Sequence, residues 1–272
     1  MPEASGRGGT LSQGMDLLAT VDPPHGELRM GGLRRIAIVP ALNEEATVAG
    51  VIDGLRAFDP AIDVVVVDDG STDGTAAAAT ASGAHVLRLP FNLGIGGAVQ
   101  TGFRYAFEHG YDIAVRLDGD GQHDAAQLAA VLAPVLAGDA DIAVGSRFLE
   151  AGDGYRSSRP RRVGIRILAA VVSRLARQRV TDPTSGFQAL NRSGIALFAR
   201  DYPHDYPEVE ATVMVFRHRL RLVEVPVAMR EREAGRSSIT TLRSIYYMVK
   251  VLLALFVGVF RRTVLPQEEA RR

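Results

Sequence analysis

From residue 35 onward the chain alternates short, β-branched apolar runs with longer amphipathic or alanine-rich stretches. The apolar runs predict strands at 36–39, 64–67, 85–88, 113–117 and 142–144, and the stretches between them predict helices starting near Thr47, Asp73, Gly96 and Ala125. Val64-Val65-Val66-Val67 shows no polar alternation, so both faces of that strand need cover. Alternating strands and helices with two-sided burial predict a doubly wound α/β domain built on a mainly parallel sheet. Ligands in such domains sit beyond the carboxyl ends of the strands. The polar clusters fall at those ends: Asn43-Glu44-Glu45, Asp68-Asp69-Gly70-Ser71, Asp118-Gly119-Asp120-Gly121-Gln122 and Gly145-Ser146-Arg147.

Beyond Arg147 the pattern changes. Residues 156–179 hold eight arginines and no acid, threaded through a helical stripe of Val163, Ile167, Ala170, Val171 and Leu175. A turn-rich Thr181-Asp182-Pro183-Thr184-Ser185-Gly186 follows, then a helix expected from Glu208, a strand over 222–227 and a polar loop over 230–238. The apolar tail 245–260 is interrupted by Lys250 and, at about sixteen residues, is shorter than a membrane-spanning helix requires. Residues 1–33 are rich in Gly, Ser and Pro and lack the apolar run of a signal peptide, so they are expected to be a disordered leader, with Met15 and Met30 as alternative starts. The chain thus divides into that leader, one α/β domain over 34–241 and an apolar tail over 242–272. No internal repeat is evident.

Composition changes this picture little. Lys plus Arg equal Asp plus Glu at 31 each, so no net field advertises nucleic acid as a partner. The absence of cysteine excludes disulfides and thiolate metal sites. The single lysine, Lys250, among many arginines reflects coding bias and carries no functional signal.

The candidate chemistry lies in the strand-end clusters. Asp118 and Asp120 follow an apolar strand with glycines beside them, so the backbone can turn tightly and present both carboxylates to one divalent cation, with Gln122 as a neutral oxygen ligand. Oxygen-only ligation favours Mg or Mn over zinc. Turns also use Asp and Gly, but the parallel clusters on the other strands favour a site. One of Asp68 and Asp69 is placed to accept from a base or ribose, and Ser71 or Asp73 to cap the next helix. Gly94-Ile95-Gly96-Gly97 follows the third strand and fails the dinucleotide spacing, which suggests a close-approach loop. Glu208 and Glu210 are candidates for a general base or, equally, acids favoured at a helix N-terminus.

Pro40-Ala41-Leu42-Asn43-Glu44, Val67-Asp68-Asp69-Gly70-Ser71-Thr72-Asp73-Gly74-Thr75, Leu117-Asp118-Gly119-Asp120-Gly121-Gln122 and Gly145-Ser146-Arg147-Phe148 together resemble the family 2 glycosyltransferases, of Rossmann-like GT-A fold. Asp182-Pro183-Thr184-Ser185-Gly186-Phe187 and Glu224-Val225-Pro226 are similar to the polyprenyl-phosphate (dolichol-phosphate) mannose and glucose synthase branch, and the resemblance spans 35–242. It implies that Pro40, Leu42 and Glu44 line a nucleotide, that Asp68 meets its base or ribose, and that Asp118, Gly119 and Asp120 form the metal and diphosphate motif. It further implies that Arg147 and Arg232 contact donor or acceptor phosphates. Two features depart from the branch: Arg236-Ser237-Ser238 stands where a lysine is often found, and the tail lacks the multiple spanning helices of some members.

The expectation is therefore an inverting, metal-dependent transfer of a hexose from a UDP-, GDP- or dTDP-sugar to a polyprenyl phosphate. Asp120, Arg147, Arg232 and Glu210 are its expected catalytic residues, and it is placed peripherally on the cytoplasmic face of the membrane. A saccharide hydroxyl acceptor in cell-envelope polysaccharide synthesis and a non-catalytic nucleotide-sugar scaffold are the alternatives. The tail is expected to lie in the membrane interface, to pack on the domain or to pair with another copy of the chain.

Overall fold

A computed structural model describes residues 32–149, 159–204, 206–228, 250, 251 and 253. The leader, the polar loop with Arg230, Arg232 and Arg236, and most of the tail lie outside the described residues. The elements in chain order are β1 (Arg35–Ala41), α1 (Val48–Phe58), β2 (Asp63–Asp68), α2 (Thr75–Ala81), β3 (His85–Arg88), α3 (Gly94–Glu108), β4 (Ile113–Arg116), α4 (Leu128–Leu136) and β5 (Ile142–Ser146). They continue with α5 (Arg159–Ala176), β6 (Gln188–Asn191), α6 (Arg192–Arg200), α7 (Pro207–Arg217) and β7 (Leu222–Pro226). A short 3-10 turn at Ala125–Gln127 precedes α4.

The strands form one sheet in the order β3-β2-β1-β4-β6-β5-β7. All neighbours pair in parallel except β6, which runs antiparallel to both β4 and β5. The sheet is thus mainly parallel, as the apolar runs predict. Its first crossovers build outward from β1 to β2 and β3, and the chain then returns to lay β4 on the other side of β1. That reversal opens a crevice between the carboxyl ends of β1 and β4, where such sheets hold ligands.

Alternation along the strands sends side chains into two cores. Ala37, Val39, Val64, Val66, Ile113, Val115 and Leu117 pack with Ile52 and Leu55 of α1 and Leu128 and Leu132 of α4. Ile36, Ile38, Val65 and Ala114 pack on the opposite face with Phe103 of α3, Phe198 of α6 and Tyr202. Gly96 and Gly102 of α3 are explained by close approach: a Cβ on Gly96 would run into the Pro203 carbonyl oxygen, and one on Gly102 into the Ile38 side chain.

The structure adds to the sequence reading in three places. The strand β6 and the helix α6 directly after it were not anticipated; Gln188-Ala189-Leu190-Asn191 has no β-branched residue, and neighbouring strands supply its burial. The stripe Val163, Ile167, Leu175 lies on the outer face of α5: these residues are 55%, 49% and 38% exposed. The inward face of α5 is instead Ile165, Leu168, Ala169 and Val172, because the helix is apolar on both sides. Finally, Val251 in the tail is fully buried with Leu168, Val172, Val209 and Val213, so the tail packs on the domain at that residue.

Candidate active site

The loops after β1, β2 and β4 converge at the crevice and are stitched together by their own polar groups. The Asn43 N–H donates to Ser71 Oγ at 2.9 Å, and the Thr72 N–H donates to Asn43 Oδ1 at 2.9 Å. The Glu44 N–H donates to Thr75 Oγ1, the Gly74 N–H to Glu45 Oε2, and the Thr47 hydroxyl to the Gly119 carbonyl, each within 3.1 Å. Asn43 adopts a φ of 56°, a left-handed conformation its short amide tolerates. Ser71 therefore serves the first loop and not the next helix; Asp73 does bond to the Thr75 N–H at the start of α2, at 3.0 Å.

Pro40 is buried at the end of β1, Glu44 is half-buried and Leu42 is 41% exposed, so of the three expected nucleotide contacts Leu42 offers an open apolar surface. The adjacent carboxylates after β2 have separate tasks. Asp69 accepts from the Leu93 and Gly94 N–H groups at 2.7 and 3.0 Å, neutralising the first orphan donors of α3. Asp68 accepts from the Ser71 N–H at 2.9 Å through Oδ1, while its buried Oδ2 accepts no hydrogen bond and lies 3.5 Å from Arg88 Nε. An orphaned, buried carboxylate oxygen is costly unless a ligand donor meets it, which is the chemistry of an imide N–H or a ribose hydroxyl.

After β4, Asp118 has a 38% exposed side chain and Asp120 is 6% exposed. The Gln122 N–H donates to Asp120 Oδ1 at 3.0 Å, which fixes the tight turn; the half-buried Gln122 lies beside both acids in the chain. His123 Nδ1 accepts from the Asp118 N–H at 3.0 Å, so its proton resides on Nε2. Burial pushes the His123 pKa down and the ring stacks on Phe187 at 5.1 Å, leaving it a neutral prop beneath the loop.

Behind Asp118 lies a residue the sequence reading passed over. Arg116, 1% exposed inside β4, donates to Tyr202 Oη at 2.9 Å and to Glu208 Oε1 at 2.7 Å, with Asp118 Oδ1 at 3.5 Å. Burial alone would lower its pKa, but Tyr202, Glu208 and Asp118 outweigh it and hold the guanidinium firmly charged. The available signal was a lone arginine within an apolar strand run. Glu208 is therefore committed to an ion pair and is poorly placed to serve as a base; Glu210 sits one residue beyond the next position on α7, half-buried.

Arg147 is gripped by Asp182 through Nε at 2.6 Å and Nη2 at 2.7 Å, and Nη2 also donates to Thr184 Oγ1 at 2.7 Å. This fork holds the Asp182-Pro183-Thr184 turn to the end of β5. Glu224 of β7 completes the scaffold, accepting from the Thr181 and Asp182 N–H groups at 2.8 Å. Arg232 lies outside the described residues.

Two oxygen donors two residues apart, one of them buried, fit a hard divalent cation. Among the described residues no group of three His, Cys, Asp or Glu side chains forms a complete metal cage. A cation at Asp118 and Asp120 would need further oxygen ligands.

A carboxylate motif at the switch point of such a sheet stands where these folds bind ligands. The chain belongs to glycosyl transferase family 2, whose model matches residues 36–198, and it is a glycosyltransferase. It is 33% identical over 220 residues to an undecaprenyl-phosphate mannosyltransferase of Micrococcus luteus, covering 76% of this chain and 88% of that one. It is 32% identical to a polyprenol monophosphomannose synthase of Mycolicibacterium smegmatis, with 76% and 81% covered. Among solved structures, glucosyl-3-phosphoglycerate synthase from Mycobacterium tuberculosis, in complex with Mn2+, uridine-diphosphate and glucosyl-3-phosphoglycerate, aligns with a TM-score of 0.65 at 25% identity, covering 84% of this chain and 80% of that chain. Among the described residues no helix is long and apolar enough to cross a membrane.

Proposed function

We propose that this glycosyltransferase moves a hexose, with inversion, from a nucleoside-diphosphate sugar to a polyprenyl phosphate at a membrane surface. The observation that carries the donor half is the pair Asp118 and Asp120 at the β1–β4 crevice, with the orphaned Asp68 oxygen at the neighbouring strand end. A bound Mg or Mn ion supplies charge stabilisation to the leaving diphosphate. Asp118 and Asp120 hold that ion, Asp68 fixes the nucleoside, and the stitched loops keep these groups in place before the donor arrives. Arg147 orders the turn at 182–184, and Arg232 is assigned to the phosphates by the resemblance alone.

The acceptor half rests on the relatives and on the demand for a base. A phosphate monoester, with a second pKa of about 6, is already ionised at neutral pH and attacks without deprotonation. This agrees with Glu208 being tied to Arg116. The outward face of α5 supports a membrane position: Val163 and Ile167 are exposed among Arg166, Arg174 and Arg177, a composition that suits an anionic lipid surface.

The test is transfer of labelled hexose from UDP-, GDP- and dTDP-sugars to undecaprenyl phosphate in anionic vesicles with Mn2+. A chloroform-soluble product that forms only with metal supports the proposal. Product on a saccharide hydroxyl and none on the lipid phosphate would overturn the acceptor assignment.

A further inference from the structure

Arg116 occupies a core position of β4, on the same face as Ala114, yet carries a full charge into the space between Tyr202 and the first turn of α7. Burying a guanidinium is costly unless its charge is paired; here Nη1 and Nη2 donate, while the buried Nε makes no hydrogen bond among the described residues. Two carboxylates meet it, and they compete for one nitrogen. Nη2 is 2.7 Å from Glu208 Oε1 and 3.5 Å from Asp118 Oδ1. The first distance is a full charge-assisted hydrogen bond; the second is an ion pair without one. Space for this arrangement depends on Gly186, where a Cβ would stand 3.1 Å from Asp118 Oδ1 and 3.2 Å from Arg116 Nη2.

We infer that Glu208 and Arg116 are positioning residues for the cation site: Glu208 draws the guanidinium onto α7 and so weakens its hold on the Asp118 carboxylate. This inference rests on the reading of Asp118 as a metal ligand. A cation and a guanidinium repel each other across a shared carboxylate, so the metal binds best when Arg116 is engaged elsewhere. Without the Glu208 charge, the uncompensated guanidinium closes on Asp118 and becomes a built-in competitor. The triad thereby links α7, which packs against the arginine-rich α5, to the ion that holds the donor.

The experiment is Mn2+ binding to the nucleotide-free full chain, read from the electron paramagnetic resonance of free Mn2+, with thermal midpoints recorded alongside. Glu208→Gln keeps the shape and removes the charge, and half-saturation is expected to need about tenfold more Mn2+. The double variant Glu208→Gln with Arg116→Met removes the competitor as well and is expected to return to within about threefold of the unmodified protein, since an apolar replacement of a buried pair is often tolerated. Tyr202→Phe changes no charge but frees the other arm of the fork, so it should weaken Mn2+ binding about threefold; it also decides the matter if Glu208→Gln does not fold. Absence of Mn2+ binding in the unmodified protein would overturn the underlying metal reading. Normal binding there with unchanged affinity in Glu208→Gln, or in Tyr202→Phe if that variant must decide, would overturn this inference alone.

Discussion

The ends of β2 and β4 each carry two acids, and the two pairs are put to different use. After β2 the acids are adjacent, and adjacency turns them in opposite directions: Asp69 is consumed by two backbone N–H groups of α3, and Asp68 keeps one buried oxygen without a hydrogen bond. After β4 a glycine separates the acids, and the turn keeps both at the crevice. Neighbouring carboxylates thus divide into a brace and a proposed ligand contact, whereas the spaced ones are proposed to serve a single ion. What decides the role of each acid is the set of donors around it.

The comparison can be broken most severely at Asp120. Asp120→Ala should reduce transfer by about 10^3-fold while leaving the fold intact, because it removes a proposed metal ligand and one local turn hydrogen bond but no contact of the apolar core; activity near normal in chelator would dissolve the metal assignment. Asp69→Ala should show the opposite profile. Leaving the α3 donors unmet should lower unfolding free energy by about 3 kcal/mol, measured by urea denaturation. A stable Asp69→Ala protein with poor nucleotide binding would exchange the roles of the two acids. Asp68→Ala should raise the donor KM about tenfold with little change in kcat, as expected for a contact equally strong in ground and transition states.

The smallest effect is expected at the opposite end of the strands. Asp141, just before β5, is held by Arg221, Asn191 and the Arg221 N–H, with Arg221 the main cause of a pKa lowered from 3.8 to about 2. Because the folded pKa lies below the unfolded one, the pair stabilises the protein fully above about pH 4, and that contribution is lost as pH falls toward 2. Asp141→Asn should cost about 1 kcal/mol at pH 7, given the partial exposure of the pair, and should remove this part of the acid sensitivity in denaturation measured between those pH values.

Most of the sheet was legible because buried parallel strands must be continuous apolar runs, as the centres of β1, β2, β4 and β5 are, whereas the half-exposed edge strands β3 and β7 carry His85, Arg88 and Glu224. The switch-point acids were legible for the same reason, standing where those runs stop. The chain was less transparent where burial is arranged by tertiary partners. Gln188-Ala189-Leu190-Asn191 becomes a strand because β4 and β5 flank it, and α5 offers two apolar faces of which periodicity selects the outer one. The Asp182 and Glu224 motifs could be recognised, but their bonds to Arg147 and to the 181–182 backbone depend on long-range approach. Arg116 escaped notice because a charge inside a strand gives no hint of its partners, which lie 86 and 92 residues away.

The central claim, that Asp118 and Asp120 bind a nucleoside diphosphate through a divalent ion, is tested most directly by calorimetric titration of UDP, GDP and dTDP into the protein with and without Mn2+. At least one nucleotide should bind in Mn2+, and its binding should disappear with chelator and in Asp120→Ala. Equal binding of that nucleotide under all three conditions would contradict the account.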